Sequence, residues 1–370
     1  MTARAAGRRR VPAWLPALLL VFVPVAAILA ARGAGPVPVF ACSALAIVPL
    51  AGLMGEATEA LADRFGAGVG GLLNATFGNA AELIIAIAAL RHGLHDVVKA
   101  SLTGSIVGNA LLVLGVSIVA GGVGRDRQTF DRQAAGSAVT LLVLAAIGFL
   151  VPALFPLAAR TAAAQAGVSP AHALAGQHDL SLAIAIVLFA GYVASLVFVL
   201  GTHRRHFAGE PAREPHPWPV WRATLALALA TAATAWMSEL LVDAVHGASA
   251  ALGLTQVFVG VVIVAVVGNA AEHSIAVRMA IADRMDVSVQ IAVGSSLQIA
   301  LFVAPVLVFL SRALPGGPLD LRFTPFEVLA VAVAVGAVNV VAQDGESNWL
   351  EGVLLVAAYL VLALAFYYLP

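Results

Sequence analysis

Long apolar stretches fill most of the chain, and the charged residues cluster in the short gaps between them. Many of these stretches reach or exceed the roughly 20 residues that span a bilayer as a helix. Charge and Gly/Pro punctuation predicts eleven helices, over residues 11–32, 36–62, 68–91, 95–121, 133–157, 179–202, 219–246, 255–282, 286–312, 323–343 and 348–369. The cationic residues test that count. With the N-terminus in the cytoplasm, fourteen of the twenty Lys and Arg residues fall in inner segments and six in outer ones. This follows the positive-inside rule, and one missed helix would scramble it. The N-terminus is therefore expected inside and, with an odd helix count, the C-terminus outside. The fold class is an all-α polytopic membrane protein.

Composition agrees. The chain is 61% hydrophobic and 11% charged, against about 25% charged in an ordinary soluble protein, and its mean hydropathy is +0.98. A net charge of zero gives no hint of nucleic acid. The lone cysteine, Cys42, has no intramolecular disulfide partner and sits in an apolar run, which suits a packed or lipid-facing residue. Basic residues 1–10 followed by an apolar segment resemble a signal peptide. The segment is long for that role and runs straight into more membrane sequence, so it reads as a retained first span. Trp14, Trp218, Trp221, Tyr367 and Tyr368 lie near span ends and read as interface anchors. Short linkers and no targeting extension suit a bacterial inner membrane. The longest polar segment, residues 202–220, holds His203, His206 and His216. Their spacing matches no standard metal site, so the segment reads as a cytoplasmic linker.

The sequence repeats itself. Gly78–Glu82 and Gly268–Glu272 are the same pentapeptide, GNAAE, each inside an apolar stretch. At the same offset of 190, Ile85, Ala86, Asp96, Val97, Gly104 and Ser105 match Ile275, Ala276, Asp286, Val287, Gly294 and Ser295. Upstream, Met54-Gly-Glu56 resembles Met237-Ser-Glu239 at a different spacing. The division expected is an extra N-terminal helix (1–35), a five-helix unit (36–202), a cytoplasmic linker (203–218) and a second five-helix unit (219–370). An odd number of helices per unit inverts the second copy, the arrangement that supports alternating access around a midplane site.

A carboxylate in a membrane span is costly and is functional by default. Glu82 and Glu272 are such carboxylates, and Asn79 and Asn269 share their helix faces at a spacing of three. Gly78 and Gly268 weaken the helix there. On the helices that follow, Ser105 with Asn109 and Ser295 with Gln298 form polar faces, each beginning at a glycine, Gly104 or Gly294, that permits close helix approach. Every donor atom in this set is oxygen, which suits Ca²⁺ best. Two facing glutamates balance a divalent charge, and once the cation has left they repel and take up protons. That competition is sufficient for antiport. Glu82 and Glu272 are thus the proton-handling groups as well as the cation ligands. His273 stands where the first copy has Leu83, and either relays protons or bonds a neighbouring helix. Glu56, Glu59 and Glu239 are candidates for acidic vestibules that attract cations, or else solvated helix ends paired with Arg. Asp63 and Asp243 read as such paired ends, and Asp96 and Asp286 as helix N-caps.

The run GLLNATFGNAAELII from Gly71 to Ile85, with VGNAAEH from Val267 to His273 and VGSSLQ from Val293 to Gln298, resembles the paired signatures of the Ca²⁺/H⁺ exchangers (CAX), a branch of the cation/Ca²⁺ exchanger superfamily. The resemblance runs from about residue 40 to the C-terminus. It implies an eleven-helix exporter of cytosolic Ca²⁺ driven by protons, with Glu82 and Glu272 as central ligands. It also implies that Asn79, Asn269, Ser105, Ser295 and Gln298 join the site or its immediate surroundings, and that Glu59 lines the way in. Many members carry an acidic helix between the halves, whereas the linker here is basic. No cofactor is expected beyond Ca²⁺ as transported substrate. The expected partners are Ca²⁺, H⁺ and the lipid bilayer, with homo-oligomerisation left open. A Na⁺ or K⁺/H⁺ antiporter on the same scaffold is the nearest alternative, and a Na⁺/Ca²⁺ exchanger a further one. An intramembrane hydrolase is disfavoured because no His-x-x-x-His motif lies in a span, and a passive channel because of the inverted repeats.

Overall fold

The computed structural model describes residues 18–166, 176–202 and 218–369. The basic N-terminal segment, Trp14, the start of the first predicted helix and the three linker histidines lie outside the described residues. The helices are α1 Phe22–Ala31, α2 Pro36–Phe77, α3 Ala80–Arg91, α4 His95–Gly122, α5 Arg132–Ala166, α6 Gln177–Thr202, α7 Val220–Leu252, α8 Gln256–Gly268, α9 Ala270–Ile281, α10 Met285–Ser311, α11 Pro325–Ala342 and α12 Trp349–Tyr368. Among the described residues, eight helices are long and apolar enough to cross a membrane, and two bent pairs bring the number to as many as ten. The shorter α1 has 10 residues and belongs to the first predicted span. Large apolar side chains such as Leu154, Leu229, Val340 and Val361 point outward, as the lipid-facing surface of a bilayer protein requires.

Helices α2, α5 and α7 run past their expected ends, α5 to Ala166 rather than to residue 157. Helical backbone runs through the predicted loop at residues 63–67, inside α2. A straight helix of its 42 residues would be about 63 Å long, twice the roughly 30 Å of a hydrocarbon core. Instead the chain turns sharply. A Cβ added to Gly70 would sit 2.2 Å from the carbonyl oxygen of Ala62, although eight residues of straight helix rise about 12 Å. Helix α7 continues past Gly247, whose missing side chain admits Pro36 at 2.9 Å from an added Cβ. It stops at Gly253, which adopts φ +67°. Asp96 and Asp286 do not cap their helices. The N-cap positions are Leu94 and Arg284, and the acids lie in the first turn. Side-chain caps appear instead at Thr324, which forms a reciprocal box with Glu327 at α11, and at Asn348, which bonds two amides of α12.

Loop contacts define two faces of the helix array. On one, β1 Gln128–Thr129 pairs antiparallel with β2 Glu346–Ser347. There Arg127 meets Glu346 at 3.1 Å and Arg125 meets Asp283 at 3.3 Å. On the other, a Cβ at Gly316 would lie 1.8 Å from the Leu90 carbonyl oxygen, Lys99 pairs with Asp320, and Ser181 accepts the Leu321 amide at 3.2 Å. The α3–α4 loop therefore sits on the face opposite its repeat equivalent, the α9–α10 loop. We call the first the basic face, because Arg125, Arg127, Arg132 and Arg284 gather there, and the second the far face.

Close helix contact rests on small residues. Helices α4 and α12 cross at Gly115 and Gly352, where an added Cβ at either would lie 2.7–2.8 Å from the other's carbonyl oxygen. Overpacking of this kind costs about 1–3 kcal/mol. Gly352→Leu is expected to lower the thermal unfolding temperature of detergent-solubilised protein. Gly136→Ala, at a position with nothing within 4 Å of the added Cβ, is expected to leave it unchanged.

Candidate functional site

The centre is built where two spans break. The segment Val69–Phe77 meets α3 at a bend of 42°, and α8 meets α9 at 61°. The residues at the breaks are Asn79 (φ −100°, ψ 20°) and Asn269 (φ −93°, ψ 5°). The breaks fall one residue after the glycines expected to cause them, and Gly78 itself keeps helical angles. What the glycines supply at the centre is room. A Cβ on Gly268 would lie 3.5 Å from Cγ of Glu82, and one on Gly78 would lie 3.9 Å from Oε1 of Glu272. Each glutamate is thus laid against the motif glycine of the other half, and the two copies interlock.

The polar residues predicted on the following helices converge here. Asn109 is the hub. Its amide nitrogen donates to Asn269 Oδ1 and to Ser295 Oγ, both at 3.0 Å. Its carbonyl oxygen accepts from His273 Nε2 at 2.9 Å. Asn269 donates to Ser105 Oγ at 2.9 Å, and Ser295 donates to Glu272. Asn79 donates to the Gln298 carbonyl oxygen. The eight residues expected as cation ligands are therefore drawn into one region, and His273 is tied to a helix of the other half. Asn79, Asn109 and Asn269 are at most 1% exposed, and Glu82 is 9% exposed.

Satisfaction is uneven. Among the described residues, Glu82 Oε2 and Asn79 Oδ1 are buried with no hydrogen-bond donor. These two oxygens, one from each neighbour at the first break, are of the hard kind that could contribute to the oxygen shell of a cation. Three one-turn π-helical segments lie nearby, at Gly108–Val113, Val259–Val264 and Ile299–Val303. Such turns recur at functional sites, and the first and last occupy equivalent places in the two repeats.

A cavity of about 780 Å³ opens from the basic face and reaches inward as far as Gln298, at the edge of this centre. Asp131 and Asp286 lie on its wall toward that face, Asn74 and Gln290 line it further in, and Gln298 connects it to Asn79. Glu56 and Glu59, expected at a vestibule, are not on its wall. Glu239 lies at the opposite end, on the far face. It pairs there with Arg91 at 2.7 Å and with His92 at 3.0 Å, while His92 also reaches Asp243 at 3.5 Å. The reason is the inversion, which sends the matching Glu56 and Glu239 to opposite faces. Asn74 and Gln290 went unnoticed in the sequence. The signal available for Gln290 was the four-residue spacing of Asp286, Gln290, Gly294 and Gln298 along one side of a predicted span.

Comparison with known proteins places this geometry. The family model described as "Sodium/calcium exchanger protein" matches residues 36–201 and again residues 222–368. A Ca(2+)/H(+) antiporter of Synechocystis sp. is 44% identical over 95% of this chain and 97% of its own length. The Ca(2+)/H(+) antiporter ChaA of Bacillus subtilis is 44% identical over 89% of this chain and 92% of its own. The solved structure of native YfkE superposes with a TM-score of 0.80 at 40% identity, covering 96% of this chain and 100% of that one. Matched in both halves and along nearly its whole length, the chain belongs to the sodium/calcium exchanger protein family.

Proposed function

We propose that the protein is a secondary active antiporter that exports Ca²⁺ from the cytosol in exchange for H⁺ by alternating access. The observation that carries this reading is the interlocked pair Glu82 and Glu272 at two broken helices, with Asn79 beside them bonded to Gln298 on the wall of a cavity open on one face. The Ca(2+)/H(+) antiporters among its relatives support it, and their kind is a transporter rather than an enzyme. In this reading the cation takes oxygens from Glu82, Glu272, Asn79, Asn269, Ser105, Ser295, Gln298 and Asn109. A divalent charge is balanced by the two carboxylates. When it leaves, protons from the other side neutralise them and permit the return. Ca²⁺ and H⁺ never need to be bound together, because they compete for the same oxygens.

The arginine-rich distribution of the loops supports a cytosolic basic face, with the N-terminus inside and the C-terminus outside. The bacterial relatives support a cell-membrane location. Residues 36–202 and 219–370 form the two inverted halves, 1–35 the additional helix and 203–218 the linker. The separate matches of the family model to each half support that division. The carboxylates that serve the far-face vestibule include Glu239, held by Arg91 and His92 in the present conformation.

Proteoliposomes with an imposed pH gradient test the function directly. Ca²⁺ flux is expected to collapse with the gradient, and to fall to background in Glu82→Gln and in Glu272→Gln, which keep shape and remove charge. Na⁺ or K⁺ flux without Ca²⁺ flux would move the chain to the monovalent reading. Normal Ca²⁺ flux in both variants would remove the glutamates from the mechanism.

The sign of the pH dependence follows from competition. Acidification on the side where Ca²⁺ binds keeps carboxylates protonated, so apparent Ca²⁺ affinity falls by about tenfold per pH unit for each proton displaced. Affinity that does not change with pH would exclude shared ligands. His273→Ala is expected to alter the pH profile more than the maximal rate, and an unchanged profile would leave His273 a packing role.

A further inference from the structure

The wall that α10 presents to the cavity carries information beyond the central site. Asp286, Gln290, Gly294 and Gln298 all line the cavity, and their four-residue spacing puts them on one stripe of the helix. Accessibility falls inward along it, from exposed at Asp286 and Gln290 to half-buried at Gly294 and Gln298. The opposite side of the same stretch is enclosed, with Ser288 and Ser296 at 0% and Ala292 at 1%. An apolar span that exposes Asp286 and Gln290 and leaves Gln298 half-buried on the same stripe is lining water rather than lipid.

Gly294 explains why the stripe is open. A Cβ added there meets nothing within 4 Å. Its repeat equivalent Gly104 is the reverse, since a Cβ there would lie 2.0 Å from the carbonyl oxygen of Val261. The two were expected to serve alike as close-packing glycines. Only Gly104 does so, because α8 lies across it. At the repeat offset, Val261 corresponds to Gly71, which stands on the cavity wall instead. One junction is thus shut on the far face, and its twin is open on the basic face.

The two acids on the wall also differ. Asp131 accepts the amides of Gln133 and Ala134 at 2.8 and 3.0 Å, capping α5. Asp286 has no hydrogen-bond or ion-pair partner among the described residues, which leaves its charge available to draw in a cation.

We propose that the stripe Asp286, Gln290, Gly294 and Gln298 is the route of Ca²⁺ between solvent at the basic face and the glutamate pair. Asp286 collects the ion, and Gly294 sets the bore. This rests on the Ca²⁺/H⁺ reading above for the identity of the ion, but the water-filled route stands independently of it.

The experiment separates the two. In a Cys42→Ala background, single cysteines at Gln290, Gly294 and the buried control Ala292 are exposed to a charged, membrane-impermeant methanethiosulfonate from either side of oriented vesicles. Labelling at 290 and 294 from the basic face alone, with 292 spared, is the expected result and needs no transport. In flux assays, Gly294→Leu is expected to reduce Ca²⁺ transport to near background, with Gly294→Ala between it and the parent. Asp286→Asn is expected to raise the half-saturating Ca²⁺ concentration severalfold while keeping the maximal rate. Unlabelled cysteines at 290 and 294, or labelling from the far face, would overturn the route. So would full-rate transport by Gly294→Leu. Labelled cysteines in a protein that moves no Ca²⁺ would uphold the route and overturn the Ca²⁺ reading instead.

Discussion

A carboxylate enclosed in a bilayer must be neutralised, paired or coordinated, and this chain encloses two against each other. The surrounding architecture follows from that constraint. The glutamates need space at the crossing of two spans, so each faces a glycine of the other half. They need backbone that departs from a regular helix, so both spans bend at an asparagine. They need a way to water, so the helices around them part on one face and stay packed on the other.

The two halves share a motif without sharing an environment. In the second half Glu272 is held by Ser295, and behind it Asn269 and His273 join Asn109 of the first half in a connected network. In the first half, Asn79 turns to Gln298, and acceptor oxygens of Glu82 and Asn79 meet no donor among the described residues. His273 against Leu83 is the sequence difference that accompanies this. One carboxylate is fixed by side chains already present, and the other is left for what arrives.

Much of this was legible in the chain because repetition is legible. The offset of 190 aligned the glutamates, asparagines and serines, and apolar length with charge punctuation located most helices. What could not be read depended on contacts distant in sequence or on the conformation adopted. That Arg91 is the partner of Glu239 could not be read, because the two are 148 residues apart. Gly104 and Gly294 are equivalent letters in one repeat, and only a particular state makes one packed and the other open. Asn109 was identifiable as a polar residue on the right face, but not as the point where two helices of the other half are tied together. Helix α7 outran its prediction because Gly247, read as an end, is a crossing point with Pro36.

The two-residue sheet on the basic face has a mechanical meaning. Gln128 and Thr129 belong to the connection that leads into α5, and Glu346 and Ser347 to the one that leads into α12. Their backbone pairing is reinforced by Arg127 with Glu346 and by the Phe130 amide on the Gly345 carbonyl at 2.9 Å. Segments from opposite halves are therefore stapled at their ends. The staple ties the entries of α5 and α12 to each other, so a displacement of either loop is resisted by the other.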